Sequence, residues 1–226
     1  MKTAAIVLAG GSGKRFGGNL PKQFVKLCGK AILSYSIEKF LNEVDFVVVV
    51  CHRDYIELLK NEIIRGKFDV MITDGGETRQ LSVRNGLLSL KNAGIDYVAI
   101  HDGSRPLFSK DLMRRLFVNV LEKKAVIPAL PLTSTIARVK NGNVEGYLYR
   151  EELFLIQTPQ VFEFGLIFDA HERAFREKKI DFTDDSQLIR FAGEKVYVIQ
   201  GEEKNIKITT REDLLLAEWL CKKRKV

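Results

Sequence analysis

The chain of 226 residues carries a net charge of +7, and 46% of its residues are apolar and 29% charged. This balance is typical of a globular protein and excludes disordered and fibrous classes. No apolar run approaches the ~20 residues that cross a bilayer, and the run behind Lys2 leads into glycines rather than a cleavage site. We therefore expect a cytoplasmic protein without membrane segments.

The three cysteines are far apart in the sequence and have no metal-ligand spacing: Cys28, Cys51 and Cys221. This argues against a disulfide scaffold and against structural zinc.

Short apolar runs alternate with helical patterns along the first hundred residues. Strands are predicted at 3–8, 46–51, 70–73 and 97–101, and helices at 32–41, 55–64 and 81–90. Near-continuous apolar strands indicate a parallel sheet that helices cover on both faces. We predict an α/β fold with a doubly wound, mostly parallel sheet, forming a single domain over residues 1–226.

The alternation of strands and helices breaks near Thr133. Alternating apolar and polar residues flank Asn141-Gly142, and an Asn-Gly pair in that setting is a strong hairpin signal. This predicts a projecting β-arm at about residues 133–152. Because a hairpin does not bury its apolar residues alone, we expect it to pack on a second subunit; packing on its own domain is the alternative. Helices are predicted at 164–178, 184–191 and 211–222, and a strand at 195–199.

The loop after the first strand combines glycines with cations. It reads LAGGSGKRFGG over residues 8–18 and is followed by Pro21-Lys22-Gln23. Ligands bind at the carboxyl ends of strands in such sheets, glycine amides approach phosphates closely, and Lys14, Arg15 and Lys22 supply positive charge. The dinucleotide fingerprint fails at Phe16, and the P-loop lacks Ser or Thr after Lys14. The loop favours a polyphosphate site over a glycine turn with solvated charges.

Asp102 follows the fourth apolar run and precedes Arg105. This position suits a contact with Mg²⁺, a ribose or a substrate hydroxyl, since Mg²⁺ takes one or two carboxylates in proteins. A structural ion pair between Asp102 and Arg105 is the alternative. We interpret His101 as a packed residue at a strand end, and His52 and His171 as surface residues.

Six segments occur in the order found in one enzyme family. They are the opening loop with Pro21-Lys22-Gln23, DGGETRQLSV at 74–83, HDGSRP at 101–106, TPQ at 158–160, TDD at 183–185 and NIKIT at 205–209. Together they resemble the 2-C-methyl-D-erythritol 4-phosphate cytidylyltransferases of the non-mevalonate isoprenoid pathway, and the resemblance spans nearly the whole chain. It implies a Rossmann-like nucleotidyltransferase that joins CTP and methylerythritol phosphate, gives CDP-methylerythritol and pyrophosphate, and uses Mg²⁺ on the triphosphate.

The resemblance also implies roles for individual residues. Arg15 and Lys22 stabilise the transition state, in which the acceptor phosphate attacks the α-phosphorus of CTP. The implied nucleotide-binding residues are Ala9, Gly10, Gly11, Gly13, Lys14, Gly76, Glu77, Ser82, Asp102 and Arg105. The implied acceptor-binding residues are Thr135, Arg150, Thr158, Thr183 and Lys207. In the family, Thr135 and Arg150 act on the neighbouring subunit's site, which implies a homodimer formed through the arm.

Alternative functions remain open at this stage. A cytidylyltransferase for ribitol 5-phosphate shares most of these motifs and would differ around Thr135, Arg150 and Thr183. A non-catalytic nucleotide- or RNA-binding module is favoured by the pI of about 9.2 and by the basic run 222–225. Such a run also suits a helix C-terminus, and no aromatic-rich strand pair offers base stacking. We expect two small-molecule substrates, CTP and a polyol phosphate, and no nucleic-acid partner. Some family members carry a fused cyclase domain, and we expect none after Val226.

Overall fold

The computed structural model of the protein describes residues 1–11, 16 and 20–223. Its strands are β1 (Thr3–Leu8), β2 (Lys26–Leu27), β3 (Lys30–Ala31), β4 (Phe46–Cys51), β5 (Met71–Asp74), β6 (Tyr97–Asp102), β7 (Ala125–Pro131), β8 (Ile136–Lys140), β9 (Asn143–Leu148), β10 (Phe154–Ile156), β11 (Gln160–Glu163) and β12 (Tyr197–Gln200). Its α-helices are α1 (Ile32–Leu41), α2 (Ile56–Leu58), α3 (Arg79–Leu90), α4 (Lys110–Lys123), α5 (Phe164–Arg176), α6 (Asp185–Phe191) and α7 (Arg211–Lys223). Short 3₁₀ turns lie at Lys22–Phe24, Arg53–Tyr55 and Arg150–Glu152, and a π-helical segment, Leu59–Ile64, continues α2.

Among the described residues, eight strands form the central sheet, with β1 paired in parallel to β4 and β6. β5 extends the sheet beside β4, and β11 runs antiparallel to both β6 and β7. Val126 of β7 pairs with both Val161 of β11 and Tyr197 of β12, so β11 and β12 lie on opposite sides of β7. The prediction of a doubly wound, mostly parallel sheet is confirmed.

The two faces of the sheet are buried by different helices. Ile6 and Val48 face α3 and α5, whereas the next residues along the strands, Val7 and Val49, face α1 and α4. Both sets are fully buried because successive side chains of a strand point to opposite faces. This explains why the strands read as continuous apolar runs in the sequence.

The predicted elements agree closely with the structure over the first hundred residues, and 32–41 and 46–51 match α1 and β4. The predicted helix at 55–64 is irregular, since it passes from a 3₁₀ turn through one α-turn into the π-helical segment.

Two elements lie where no element was predicted, between residues 104 and 132. Helix α4 begins behind Ser109, whose Oγ accepts a hydrogen bond from the Leu112 amide at 2.9 Å. Strand β7 contains Pro128 and Pro131. In the sequence these prolines argue against a strand, because proline cannot donate a backbone hydrogen bond to a sheet. The short strands β10 and β11 were also not predicted.

Strands β8 and β9 form a separate antiparallel hairpin, and its prediction is confirmed. Asn141 and Gly142 both have positive φ, at 49° and 80°, as a tight hairpin turn requires. The hairpin exposes apolar side chains in the single chain; Tyr147, for example, is 71% exposed. We call β8, β9 and their flanking residues, 133–152, the arm.

Helix α7 ends in the first part of the basic run, at Lys222 and Lys223. Arg224 and Lys225 lie outside the described residues. Within the described ranges, no helix combines the length and the apolarity needed to cross a membrane.

Candidate active site

A cleft of about 1130 Å³ opens at the carboxyl ends of β1, β4, β5 and β6. Its walls come from the loops that follow these strands, at Gly10-Gly11, His52-Arg53, Gly75-Gly76 and Ser104. This is where a doubly wound sheet places its ligands. The predicted site residues that line the cleft are Gly10, Gly11, Lys22, Gly76, Glu77, Ser82, Asp102 and Lys207. Gly13, Lys14 and Arg15, also predicted for this site, lie outside the described residues.

Gln23 fixes the described part of the first loop. Its Nε2 donates hydrogen bonds to the carbonyl oxygens of Ala9 at 2.9 Å and of Gly11 at 3.1 Å. The Ala9 amide itself donates to the carbonyl of Val50, so this end of β1 stays attached to β4. Because Lys22 precedes Gln23 in the same 3₁₀ turn, the Pro-Lys-Gln segment fixes the loop and presents a cation to the cleft.

Ser82 closes the loop that follows β5. Its Oγ accepts a hydrogen bond from the Gly76 amide at 3.0 Å and donates to the Thr78 carbonyl at 2.9 Å. Thr78 in turn caps α3, because its Oγ1 accepts from the Leu81 amide at 3.1 Å. A Cβ at Gly76 would lie 2.5 Å from the Cβ of Leu81, so only glycine fits there. The backbone of this loop is therefore held rigidly in the cleft wall.

Asp102 is the meeting point of three cationic side chains. Its Oδ2 lies 2.7 Å from Lys207 Nζ and 3.9 Å from Arg105 Nε, and its Oδ1 lies 3.2 Å from Arg79 Nε. Burial opposes ionisation of this carboxyl, but the charges of Arg79 and Lys207 outweigh it and hold the pKa of Asp102 well below its usual range. The ion pair with Arg105, the structural alternative, is present but is the longest of the three.

A buried layer beneath the cleft holds Asp102 in place. The Asp102 amide donates to Thr158 Oγ1 at 3.0 Å, and the Thr158 hydroxyl lies 3.1 Å from His101 Nδ1. His101 Nε2 lies 3.1 Å from the carbonyl of Arg105, which only accepts, so Nε2 carries the proton and Nδ1 accepts from Thr158. Burial lowers the pKa of His101 to about 3, and its ring packs on Phe108 with centroids 4.5 Å apart. The prediction that His101 is a packed residue at a strand end is confirmed.

Comparison with known proteins decides between the alternative functions. The sequence profile of the family described as 2-C-methyl-D-erythritol 4-phosphate cytidylyltransferase matches residues 3–223. The chain belongs to this family. A member from Thermosipho melanesiensis is 39% identical over 216 residues, which cover 94% of each chain.

Other relatives agree with this membership. A 4-diphosphocytidyl-2C-methyl-D-erythritol synthase structure from Anaerococcus prevotii superposes with a TM-score of 0.84 at 32% identity, over 98% of this chain and 96% of that one. A bifunctional IspD/IspF enzyme from Brucella anthropi is 37% identical over 222 residues, and the match spans 96% of this chain but only 54% of that enzyme. The resemblance stated from six sequence segments is confirmed, and the protein is a nucleotidyltransferase of the cytidylyltransferase class.

The residues predicted to bind the acceptor are not all brought together in one chain. Lys207 lines the cleft, and Thr158 lies buried behind Asp102. Thr183 is exposed, and its amide donates to Gln187 Oε1 at 3.2 Å. Thr135 and Arg150 belong to the exposed arm, where Arg150 Nη1 donates to the Thr133 carbonyl at 3.2 Å. Arg105, predicted to bind the nucleotide, donates to the backbone carbonyls of Asn205 and Ile156.

The prediction that His171 is a surface residue is wrong. His171 is 1% exposed and lies on the buried face of α5, four residues after Ile167 and three before Ala174. Its Nε2 lies 3.2 Å from Oδ1 of Asp185, which is also fully buried. The spacing from Ile167 was the available signal, because residues four apart share a helix face.

Arg79 connects this buried pair to the cleft. Its Nη1 lies 2.7 Å from Asp185 Oδ2, while its Nε contacts Asp102. Burial opposes the charge on Arg79, but the two carboxylates outweigh it and raise the pKa of this guanidinium. Arg79 and Asp185 lie in two of the motifs that carried the resemblance, but the sequence does not show that they pair.

The described residues do not fit a metal that the protein holds by itself. Within residues 1–11, 16 and 20–223, no three His, Cys, Asp or Glu side chains cluster as metal ligands do. Both oxygens of Asp102 already contact cations. Mg²⁺ bound to substrate phosphates needs only one or two protein carboxylates.

Proposed function

We propose that this protein transfers the cytidylyl group of CTP to 2-C-methyl-D-erythritol 4-phosphate, giving CDP-methylerythritol and pyrophosphate. The observation that carries the proposal is the convergence of Lys22, Asp102, Lys207 and the loop 75–77 on one cleft at the strand ends. At about 1130 Å³ the cleft has room for a nucleoside triphosphate beside a small polyol phosphate. The names of the Thermosipho and Anaerococcus relatives support the same substrates.

The loop held by Ser82 is suited to reading the base. Cytosine presents an N4 donor and the acceptors N3 and O2. Because the Gly76 amide is bound to Ser82, the Gly76 carbonyl and the backbone groups of Glu77 are the candidate partners in this wall of the cleft. Uracil reverses the donor and acceptor pattern at two of these positions, so it would leave buried groups unpaired. We infer that this loop selects CTP over UTP.

The reaction requires charge stabilisation and positioning rather than a nucleophilic side chain. The acceptor phosphate oxygen attacks the α-phosphorus, the bond to the β-phosphate breaks, and pyrophosphate leaves. We assign Lys22, together with Arg15, to the negative charge that grows at the α-phosphate. Lys207 binds the acceptor phosphate. Mg²⁺ brought by CTP would supply positive charge to the triphosphate, with Asp102 as a carboxylate that could hold it.

The exposed arm supports a homodimer as the active form. Val139, Val144 and Tyr147 of the arm are more than half exposed, as is Leu155 of the neighbouring strand β10. A second copy would bury these apolar side chains. In such a dimer, Thr135 and Arg150 would complete the acceptor site of the neighbouring subunit. The cysteines at 28, 51 and 221 are free thiols, as suits a reducing compartment such as the cytoplasm.

Pyrophosphate release tests this proposal. The purified protein is incubated with Mg²⁺, each of CTP, UTP and ATP, and either methylerythritol phosphate or ribitol 5-phosphate. We expect release that requires both CTP and methylerythritol phosphate. Release with ribitol 5-phosphate instead would overturn the acceptor, and no release with any pair would overturn the reaction.

A further inference from the structure

We propose that Asp185, held by His171, is a positioning residue that keeps Arg79 from taking both oxygens of Asp102 and so keeps Lys207 oriented for the acceptor phosphate. The inference rests on the proposed function of the cleft. It assigns a role in the reaction to a buried pair on α5 and α6 that does not line the cleft.

The geometry of Arg79 is unusual for an arginine beside a carboxylate. Arginine and carboxylate groups favour a bidentate pair with two parallel hydrogen bonds. Arg79 instead touches Asp102 through Nε alone, at 3.2 Å, and its Nη1 lies 2.7 Å from Asp185. The bond from Nη1 to Asp185 thus fixes the guanidinium in an orientation in which Nε alone contacts Asp102.

The second oxygen of Asp102 is thereby left for Lys207. Lys207 Nζ donates to Asp102 Oδ2 at 2.7 Å, and the lysine side chain is 40% exposed toward the cleft. When Lys207 turns from Asp102 to an acceptor phosphate, the positive charge of Arg79 still compensates the Asp102 carboxylate. A bidentate Arg79 would rotate the carboxylate and remove the contact that orients Lys207.

His171 holds Asp185 in place. Asp185 is fully buried, and an ionised carboxylate at such a site requires partners for both oxygens. Arg79 binds Oδ2, and His171 Nε2 binds Oδ1 at 3.2 Å. Because a carboxylate only accepts, His171 carries its proton on Nε2 and turns the second oxygen of Asp185 toward Arg79.

The first test compares D185N with E43Q in the full-length protein. Glu43 is partly buried and pairs with Lys110 and Arg114 of α4 at 3.3 and 3.8 Å, so E43Q removes a carboxylate held by two cations without touching Asp102 or the cleft. We expect D185N to raise the KM for methylerythritol phosphate by about tenfold, the loss of one charged hydrogen bond. The KM for CTP should change by less than twofold, and E43Q should leave both values near wild type. Equal changes in both KM values for D185N would overturn the inference.

A double-mutant cycle distinguishes a role of Asp185 through Lys207 from a general effect on the structure. If Asp185 acts through Lys207, D185N should reduce kcat/KM for the acceptor in the wild-type background but have little further effect on K207Q. Additive losses in the double variant would contradict the inference.

A second pair of variants keeps the test decisive if D185N does not fold. H171L removes the donor to Asp185, whereas H171Q supplies an amide in its place. We expect H171L to raise the acceptor KM severalfold and H171Q to restore it to within about twofold of wild type. Equal acceptor KM values for H171L and H171Q would overturn the role of His171. A wild-type protein that releases no pyrophosphate would instead contradict the proposed function, so the two failures are distinguishable.

Discussion

The side chain of Gln23 donates a hydrogen bond to the carbonyl of Ala9 at 2.9 Å and so joins the residue after Lys22 to the end of β1. Gln23 is almost fully buried, and its second bond reaches the Gly11 carbonyl. Lys22 and the glycine loop are therefore held in a fixed position relative to each other.

The variant Q23A should release Lys22 from the glycine loop. The buried Ala9 carbonyl and the partly buried Gly11 carbonyl lose their donor, which costs about 1–3 kcal/mol of stability, and Lys22 loses its fixed position. We expect kcat to fall at least tenfold in a steady-state pyrophosphate assay. N119A is the matched control, because Asn119 Nδ2 donates to the Arg115 carbonyl within α4, away from the cleft. Wild-type kcat in Q23A would contradict the account.

The variant G76A should weaken the binding of CTP. The new Cβ would lie 2.5 Å from Leu81, so the loop must move away from Ser82. We expect the KM for CTP to rise about tenfold or more, with a smaller change for the acceptor. G165A is the control: a Cβ at Gly165 meets no atom within 4 Å, and alanine in helix α5 should be neutral or stabilising. An unchanged KM for CTP in G76A would show that this loop does not recognise the base.

Mixing two inactive variants tests whether sites are shared between subunits. K22A should lose turnover because its cation acts on the transition state, and R150A should lose use of the acceptor. If Arg150 serves the neighbouring subunit, a mixed dimer holds one complete site, contributed by the R150A chain and the arm of the K22A chain. Random exchange at equal amounts should restore about a quarter of wild-type activity. No recovery after exchange, with mixed dimers shown by mass spectrometry, would mean that each site is complete within one chain.

His101 should make stability depend on pH. Its ring is buried and neutral, with a pKa lowered from 6.5 to about 3, so below pH 6.5 the unfolded chain takes up a proton that the folded chain does not. Stability should therefore fall as the pH drops, by about 2 kcal/mol between pH 8 and pH 5 from this residue. Urea unfolding of wild type and H101N checks this. The wild type should lose more stability over this range than H101N, and equal losses would contradict the buried neutral state.

Much of the fold is predictable because local patterns and tertiary structure agree. Helix α1 and strand β4 have unbroken apolar patterns, and their bounds match the prediction. Strand β7 escapes prediction because its two prolines argue against a strand. In the structure, β7 is stabilised by pairing with its neighbours β11 and β12. Without β7, the sequence also gives no reason to expect β10 beside it.

The candidate site is predictable in its loops but not in its contacts. Glycines and cations at the ends of strands point to the cleft, because the topology alone places those ends together. The contact between Arg79 and Asp185, which are 106 residues apart, depends on how α3 and α6 pack. The burial of His171 follows from its spacing from Ile167, but its partner Asp185 is visible only in the tertiary structure. The roles of Arg15 and Lys22 in the reaction stay predictions.

The most direct test of the central claim is to follow the phosphorus atoms by ³¹P NMR. The protein is mixed with CTP, Mg²⁺ and methylerythritol phosphate at equal substrate concentrations. We predict that the phosphomonoester signal of the acceptor is replaced by two coupled diphosphate signals, with pyrophosphate released in equal amount. Pyrophosphate accompanied by free CMP and an unchanged acceptor signal would contradict cytidylyl transfer, since it would show hydrolysis of CTP instead.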